Sequence, residues 1–306
     1  MIPKASEVES KGAIPTGLPQ LDFILGIGGV PIGRITEISG KWSVGKTTLA
    51  LSLIKSAQEM GMETIWVDAE WAWENSYAES LGVDTSKLGL LQTRYAEDAL
   101  DQVLQYLNGD EQKKIPQGKN TLIVIDAVGA LHPKEEAEKE SGDRTIGAQS
   151  SLVARFCRKS VPLISLNNNA LVVLNHEYTP IETNGGRPQT KTSGGAKLEY
   201  HKSVWIRLKK NGVYLKQGDE FVGFKVEAEI GKNKLAPTQR KTCLIDMFYG
   251  KGFSAVSMLL EQAIEKGVIE RRGNTFFLGD EKLGMISKVR EWLKDEQNAE
   301  KIKELI

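Results

Sequence analysis

The chain has 306 residues, 40% of them hydrophobic, and its 40 Lys and Arg residues balance 40 Asp and Glu residues. A chain of this length buries a sizeable core, and its zero net charge excludes a generally basic surface, so any surface for a polyanion must be local. The two cysteines stand far apart without Cys/His metal spacing, which is typical of a reduced intracellular protein. We find neither a signal-peptide pattern nor an apolar run long enough to span a membrane.

Strand and helix patterns alternate through the first 200 residues. The predicted strands are 33–39, 63–70, 120–131 and 170–176, and the predicted helices are 46–61, 96–109 and 147–169. The 120–131 strand is almost continuously apolar, as a parallel sheet buried on both faces requires. The succession predicts an α/β fold with a mostly parallel, twisted sheet flanked by helices.

The pattern changes after residue 200. Asn211-Gly212 separates two strand-like runs, which predicts a β-hairpin turn, and further antiparallel strands are expected at 221–234 and 242–247. A small helix–strand–helix module follows. We therefore expect a short arm at 1–12, a core domain at 13–251 and a small α+β C-terminal domain at 252–306.

A glycine-rich loop follows the first long strand. Its sequence fits the phosphate-binding P-loop pattern in full, whereas a plain glycine-rich turn would not require the lysine, the threonine and the flanking strand and helix. Lys46 would supply charge to the β- and γ-phosphates, and the Thr47 hydroxyl would ligate Mg²⁺. The predicted nucleotide-binding residues of the loop are Gly40, Lys41, Trp42, Ser43, Val44, Gly45, Lys46, Thr47 and Thr48.

Two carboxylates complete the expected chemistry. Asp126 ends the apolar "TLIVID" strand, where a P-loop enzyme places the aspartate that holds the metal; the alternative is a helix cap. Glu70 closes "TIWVDAE" just past another strand and could orient the attacking water. Position alone leaves Glu70 open between a general base and a surface glutamate.

Several segments in order resemble the RecA recombinases over most of the chain. They are "IPTGLPQLDFILGIGGVPIGRITEISG", "WVDAE", "LIVIDAVGAL", "HPKEEAEKESGDRTIG", "TSGGAKLEY" and "GKNKLAP". His176 is more similar to the phage recombinases of the UvsX type, because bacterial members usually carry glutamine there. The resemblance implies a RecA-type P-loop ATPase core that uses ATP and Mg²⁺.

The resemblance also implies roles for single residues of the ATP site. Glu70 becomes the catalytic glutamate, Glu74 and Tyr77 contact the adenine, and His176 senses the γ-phosphate and reports to a DNA loop. A histidine at a strand end is more often a structural cap, although imidazole can donate to a phosphate oxygen.

Assembly residues follow from the same resemblance. Lys232 and Lys234 match lysines that reach the ATP of a neighbouring subunit; the alternative is a solvated hairpin turn. From the sequence we expect no counterpart of the family's N-terminal helix in residues 1–12. Ile2 and Ala5 could dock a short strand on a neighbour; the alternative is a disordered tail.

Two DNA-binding loops are implied at about 133–147 and 178–195. Residues 182–216 carry eight Lys and Arg against two Glu, as expected of a segment that follows a phosphate backbone, although charge runs are usually solvated faces. The candidate DNA-binding residues are Arg144, Ile146, Arg158, Ile181, Arg187, Lys191, Gly194 and Gly195.

We therefore expect an ATP-dependent homologous recombinase in the cytoplasm of a bacterial or phage-infected cell. It would form a filament on single-stranded DNA, pair it with homologous duplex and exchange strands, without a membrane partner and with single-strand-binding and loader proteins. The alternatives are a non-filamenting accessory protein and a ring-forming DNA-dependent ATPase motor.

Overall fold

A computed structural model describes residues 4, 10–112, 116–137, 147–178, 191–192 and 195–305. Several of the predicted functional residues therefore lie outside the described part, as does the side chain of Lys191. The predicted residues wholly outside it are Ile2, Ala5, Arg144, Ile146, Ile181, Arg187 and Gly194.

The described part contains the following strands and helices. The strands are β1 Ala13–Ile14, β2 Val30–Pro31, β3 Ile35–Gly40, β4 Glu63–Asp68, β5 Leu88–Leu91, β6 Thr121–Asp126, β7 Ala170–Tyr178, β8 Lys191–Thr192, β9 Val204–Gln217, β10 Glu220–Asn233, β11 Thr242–Phe248, β12 Gly252–Phe253, β13 Ile269–Arg272, β14 Thr275–Leu278 and β15 Glu281–Gly284. The helices are α1 Pro19–Leu25, α2 Lys46–Glu59, α3 Asn75–Ser80, α4 Ala96–Asn108, α5 Lys134–Ala137, α6 Ala148–Leu166, α7 Gly195–His201, α8 Ala255–Glu265, α9 Ile286–Trp292 and α10 Glu296–Leu305.

A ten-stranded sheet organises the molecule. Its strand order is β12-β11-β10-β9-β3-β7-β6-β4-β5, with β8 pairing with β7. The strands from β5 to β9 along this order are parallel, whereas β9 to β12 are antiparallel. Every residue of β3 and β6 is buried, because helices cover both faces of the sheet. The predicted α/β fold class is confirmed.

The predicted turn at Asn211-Gly212 is wrong. β9 runs without interruption through both residues, and the chain reverses instead between Gln217 and Glu220. The register between β9 and β10 shifts beside them, so Gly212, with φ of 89°, serves an irregularity within a strand. Glycine with positive φ suits a bulge as well as a turn, and the dipeptide alone does not separate the two.

The C-terminal helices enclose a separate apolar cluster against β13–β15. The core of this cluster comprises Leu259, Leu260, Ala263, Ile269, Phe276, Val289, Leu293 and Ile302. Asp246 of β11 links it to the large sheet, because it accepts hydrogen bonds from Lys225 at 2.8 Å and from Arg290 at 3.1 Å. The domain limits given above stay predictions. Within the described residues, none of the helices combines the length and apolar character needed to cross a membrane.

Candidate ATP site and DNA loops

The P-loop connects β3 to α2 by a tight curve that needs glycine at two positions. A Cβ on Gly40 would lie 2.4 Å from the Leu208 carbonyl oxygen, so a side chain there would clash with backbone. Gly45 has φ of 95°, and a Cβ there would lie 2.7 Å from the Phe253 ring. The loop therefore has the close backbone packing that a phosphate cradle at the start of a helix requires.

The Lys46 side chain is buried inside this curve. Its ammonium donates to the carbonyl oxygens of Gly40 at 3.2 Å and Lys41 at 2.9 Å. Burial lowers the pKa of Lys46, while Asp126 and Glu70 act in the opposite direction. A buried cation held by neutral carbonyls is well placed to compensate phosphate charge.

Thr47 and Asp126 meet on the other side of the loop. The Thr47 hydroxyl donates to Asp126 Oδ2 at 3.1 Å. Burial raises the pKa of Asp126 from 3.8 to about 7, with the Glu70 charge adding to the rise. A hydroxyl and a carboxylate are hard oxygen donors of the kind that Mg²⁺ takes alongside water and phosphate oxygens, so these residues fit the ion. No group of three or more His, Cys, Asp or Glu side chains among the described residues could hold a metal by itself.

His176 joins Glu70 to Lys46. Its Nδ1 lies 3.3 Å from the Lys46 ammonium, and its Nε2 lies 2.7 Å from Glu70 Oε1. Because an ammonium can only donate, Nδ1 must accept, and the ring proton belongs on Nε2, which donates to Glu70. Three residues that the sequence analysis predicted separately therefore form one chain of contacts.

Asp68 holds the turn that carries Glu70, and the sequence analysis missed it. Its buried carboxylate accepts from the backbone N–H groups of Ala72 at 3.2 Å and Trp73 at 3.0 Å, and from the Gln92 amide at 2.8 Å. The available signal was a carboxylate at the end of an apolar strand, the same signal that identified Asp126.

The proposed adenine contacts lie next to the P-loop helix. The Tyr77 hydroxyl and the Thr48 hydroxyl are 2.7 Å apart, and Glu74 accepts from Ser76 at 3.0 Å. Glu74 and Tyr77 line a small cavity together with Thr47. Within the P-loop, Trp42 is 75% exposed.

Lys232 and Lys234 contact a helix of their own chain. Lys232 Nζ donates to the Glu199 carbonyl oxygen, and Lys234 Nζ donates to the Tyr200 carbonyl oxygen at 2.8 Å. Both acceptors lie in the last turn of α7, where a helix carries partial negative charge. The structure thus places these cations at the end of α7.

The predicted second DNA loop, at about 178–195, begins two residues after His176, where β7 ends. Glu177 pairs with Thr192 and Tyr178 with Lys191, so the two ends of the loop meet as a short antiparallel ladder. α7 begins at Gly195, where the loop ends. Arg158 is not part of this ladder; it lies on α6, where it is exposed.

Comparison with known proteins identifies the family of this chain. A family model described as the RecA N-terminal domain matches residues 3–254. "Protein RecA" of Thermus aquaticus is 40% identical over 283 residues, which cover 92% of this chain and 80% of that protein. "Protein RecA" of Sulfurovum sp. strain NBC37-1 is 40% identical over 279 residues, covering 91% of this chain and 77% of that protein.

These matches confirm the family and the activity predicted from the sequence. The chain is a DNA-dependent ATPase, and neither the accessory-protein alternative nor the ring-motor alternative is favoured. The chain therefore belongs to the RecA family of ATP-dependent DNA recombinases.

Proposed function

We propose that this chain uses ATP and Mg²⁺ at the P-loop to assemble on single-stranded DNA, pair it with homologous duplex and exchange strands. The observation that carries the proposal is the contact chain from Lys46 through His176 to Glu70, with Thr47 and Asp126 beside it. Around one loop it brings together the lysine that would bind the phosphates, the two residues that would hold Mg²⁺ and the candidate general base.

Each residue would have a distinct task in hydrolysis. Glu70 would accept the proton of the attacking water, since a positioned carboxylate can serve as a general base. Lys46 would stabilise charge on the phosphates, and Thr47 and Asp126 would hold Mg²⁺. When bound, the ion neutralises charge on the transferred phosphoryl group. Glu74 and Tyr77 would contact the adenine.

His176 would connect hydrolysis to DNA. It stands one residue before the ladder that closes the second DNA loop. A change in its contacts to Lys46 or Glu70 would therefore move the base of that loop. The candidate DNA-binding residues would then contact DNA, Arg158 from α6 and Arg187 and Lys191 from the second loop.

Assembly would give Lys232 and Lys234 a second set of partners. In a head-to-tail contact they would leave the α7 carbonyls and reach the ATP of the neighbour, whose phosphates carry more charge. β5 lies at one edge of the ten-stranded sheet and Leu90 within it is 43% exposed, which supports docking of a strand containing Ile2 and Ala5 there. A repeated head-to-tail contact that does not close forms an open helix.

The cellular setting follows from this activity. Such a filament would work in the cytoplasm of a bacterial or phage-infected cell and meet single-strand-binding and loader proteins. The former would compete for the same single-stranded DNA, and the latter would bring the recombinase to it.

Strand exchange with purified protein tests the proposal. The protein, ATP, Mg²⁺ and a circular single strand are mixed with a labelled linear duplex, and the displaced strand is measured on a gel. We expect displacement with a homologous duplex, none with a heterologous duplex, and none with the Lys46→Ala variant. Equal displacement from both duplexes, or none from either, contradicts the proposal.

A further inference from the structure

One face of the P-loop strand holds two buried polar side chains. Glu37 and Ser39 of β3 are both fully buried, and a spacing of two residues places them on the same face of the sheet. β3 ends at Gly40, where the P-loop begins. Any group attached to Glu37 or Ser39 is thus attached to the strand that carries the phosphate cradle.

Ser39 contacts the entry of the second DNA loop. Its hydroxyl donates to Glu177 Oε1 at 2.7 Å, and Glu177 is the residue that pairs with Thr192 across the loop base. Glu177 also accepts from Arg207 of β9, at 2.9 Å from Nε and 3.3 Å from Nη2. The Glu177 side chain is only 5% exposed, so these contacts fix its position across β3.

Glu37 contacts the residue at the far end of α7, the helix that begins where this loop ends. Lys202, the residue after α7, is fully buried and donates to Glu37 Oε2 at 2.5 Å and to Glu199 at 2.6 Å. Asn175, just before His176, donates to the other oxygen of Glu37 at 2.9 Å. The strand before the loop and the far end of the helix after it are thus attached to one strand face.

Trp205 of β9 lies between the two attachments. Its Nε1 donates to Ser39 Oγ at 2.8 Å, and the Lys202 ammonium lies 3.8 Å from its ring centroid. The contacts on the two sides of the loop therefore belong to one connected cluster.

Fold stability alone does not account for such a cluster. Desolvation offsets most of the attraction in a buried ion pair, and apolar side chains of similar volume are often as stabilising. A polar cluster whose hydrogen bonds are all made also fixes the orientation of the groups that it joins.

We propose that Glu37, Ser39, Glu177, Lys202 and Arg207 are positioning residues that hold the two elements flanking the second DNA loop, β7 and α7, against the P-loop strand. This attachment sets how strongly single-stranded DNA stimulates ATP hydrolysis. The second statement rests on the proposed function, because it requires residues 178–195 to bind DNA.

Glu177→Ala is the direct test, and Glu229→Ala is its matched control. Glu229 of β10 also contacts Arg207, at 3.6 Å, and bonds Lys209, yet these partners do not lie in the P-loop strand, β7 or α7. We expect hydrolysis without DNA and ATP affinity to stay within about twofold of wild type in both variants. Stimulation by single-stranded DNA should fall about fivefold or more in Glu177→Ala alone.

The Arg207→Ala variant tests whether Glu177 and Arg207 act through one shared contact or independently. If Glu177 and Arg207 act together, the double variant should lose no more stimulation than the Glu177→Ala variant. Should Glu177→Ala fold poorly, Glu177→Gln keeps the size and an acceptor for Ser39 but loses the charge. We expect it to fold and to lose part of the stimulation.

Hydrogen exchange without DNA or nucleotide tests the attachment itself. The amides of 170–178 and 198–204 should exchange faster in Glu177→Ala than in Glu229→Ala. Unchanged exchange overturns the attachment, and faster exchange with wild-type stimulation overturns the coupling. Failure of the proposed function is recognised separately by binding: Arg187→Ala and Lys191→Ala would then leave the affinity for single-stranded DNA unchanged.

Discussion

The ATP site and the lysine pair at the end of β10, Lys232 and Lys234, show two different ways in which predicted functional residues are placed. Around the P-loop, Lys46 contacts His176 and Thr47 contacts Asp126, so predicted residues contact one another within one chain. At the end of β10, Lys232 and Lys234 instead contact backbone carbonyls of α7. The first site is assembled by the fold; the second would be completed only by another subunit.

The difference has a physical cause. An ammonium that is partly withdrawn from water must donate to an acceptor, and the last turn of a helix supplies carbonyls with partial negative charge. Under the proposed assembly, the α7 carbonyls are the partners that Lys232 and Lys234 take in their own chain before a neighbour's ATP replaces them. Dilution, or the addition of a second kind of subunit, should therefore change the effect of variants at Lys232 and Lys234. It should not change the effect of variants at the P-loop.

The largest effect is expected at the P-loop, independent of assembly. Lys46→Ala removes the only P-loop ammonium that the structure buries against Gly40 and Lys41, so the phosphates lose its charge and hydrogen bonds. Titration with a fluorescent ATP analogue should show affinity reduced about 100-fold or more. Lys55→Ala, on the exposed face of α2, is the control and should bind as wild type does. Normal ATP binding by Lys46→Ala would show that the P-loop is not the ATP site.

Glu70→Gln should separate binding from hydrolysis. The amide retains an acceptor for the His176 N–H but cannot take the proton of water, so turnover should fall about 100-fold or more while ATP affinity changes little. Phosphate release and analogue titration measure the two quantities. Glu59→Gln, a surface change on α2, is the control. A wild-type rate in Glu70→Gln would show that Glu70 is not the base.

Lys232→Ala and Lys234→Ala should act only on assembled protein. ATP binding by the dilute subunit should remain near wild type, whereas turnover on single-stranded DNA should fall about tenfold because charge across the interface is lost. Lys241→Ala, outside the α7 contacts, is the control. Equal loss of turnover in dilute protein would place these lysines in their own ATP site instead.

The smallest effect concerns Asp22, a carboxylate outside both regions. It accepts from the Thr16 N–H at 2.9 Å, and burial raises its pKa from 3.8 to about 6. A raised pKa means that the folded state holds the proton more tightly, so the contribution to stability is complete below about pH 4 and lost as pH rises through about 6.

Denaturant melts at several pH values test this prediction. Asp22→Asn keeps the acceptor but does not titrate, so the fall in unfolding free energy between about pH 4 and pH 7 should become smaller than in wild type. ATP hydrolysis should be unaffected. An unchanged pH profile would mean that Asp22 titrates normally in the fold.

Local motifs made part of the site predictable. The P-loop and Asp126 depend on short patterns and strand ends, and Glu70 and His176 were assigned roles by family resemblance. The contact of His176 with Lys46 depends on register, because β3 pairs with β7 so that Gly40, at the start of the P-loop, lies opposite His176. Such pairing between distant strands cannot be read from either segment alone.

The remaining differences also involve contacts across the sheet. Asn211-Gly212 predicted a turn, but pairing with β10 kept β9 extended through it. The contacts of Glu177 with Ser39 and of Lys202 with Glu37 join residues far apart in the sequence, and no motif marks them. Most of the predicted DNA-loop residues lie outside the described part and stay predictions.

A mixture of two inactive variants tests the shared ATP site most directly. A Lys46→Ala subunit cannot bind ATP, and a Lys234→Ala subunit cannot complete the site of its neighbour, yet one kind of mixed interface contains an intact P-loop and an intact lysine. With single-stranded DNA present, we predict that ATP turnover of the mixture exceeds the sum of the two variants measured separately. Turnover equal to that sum at every ratio and concentration would contradict an ATP site built from two subunits.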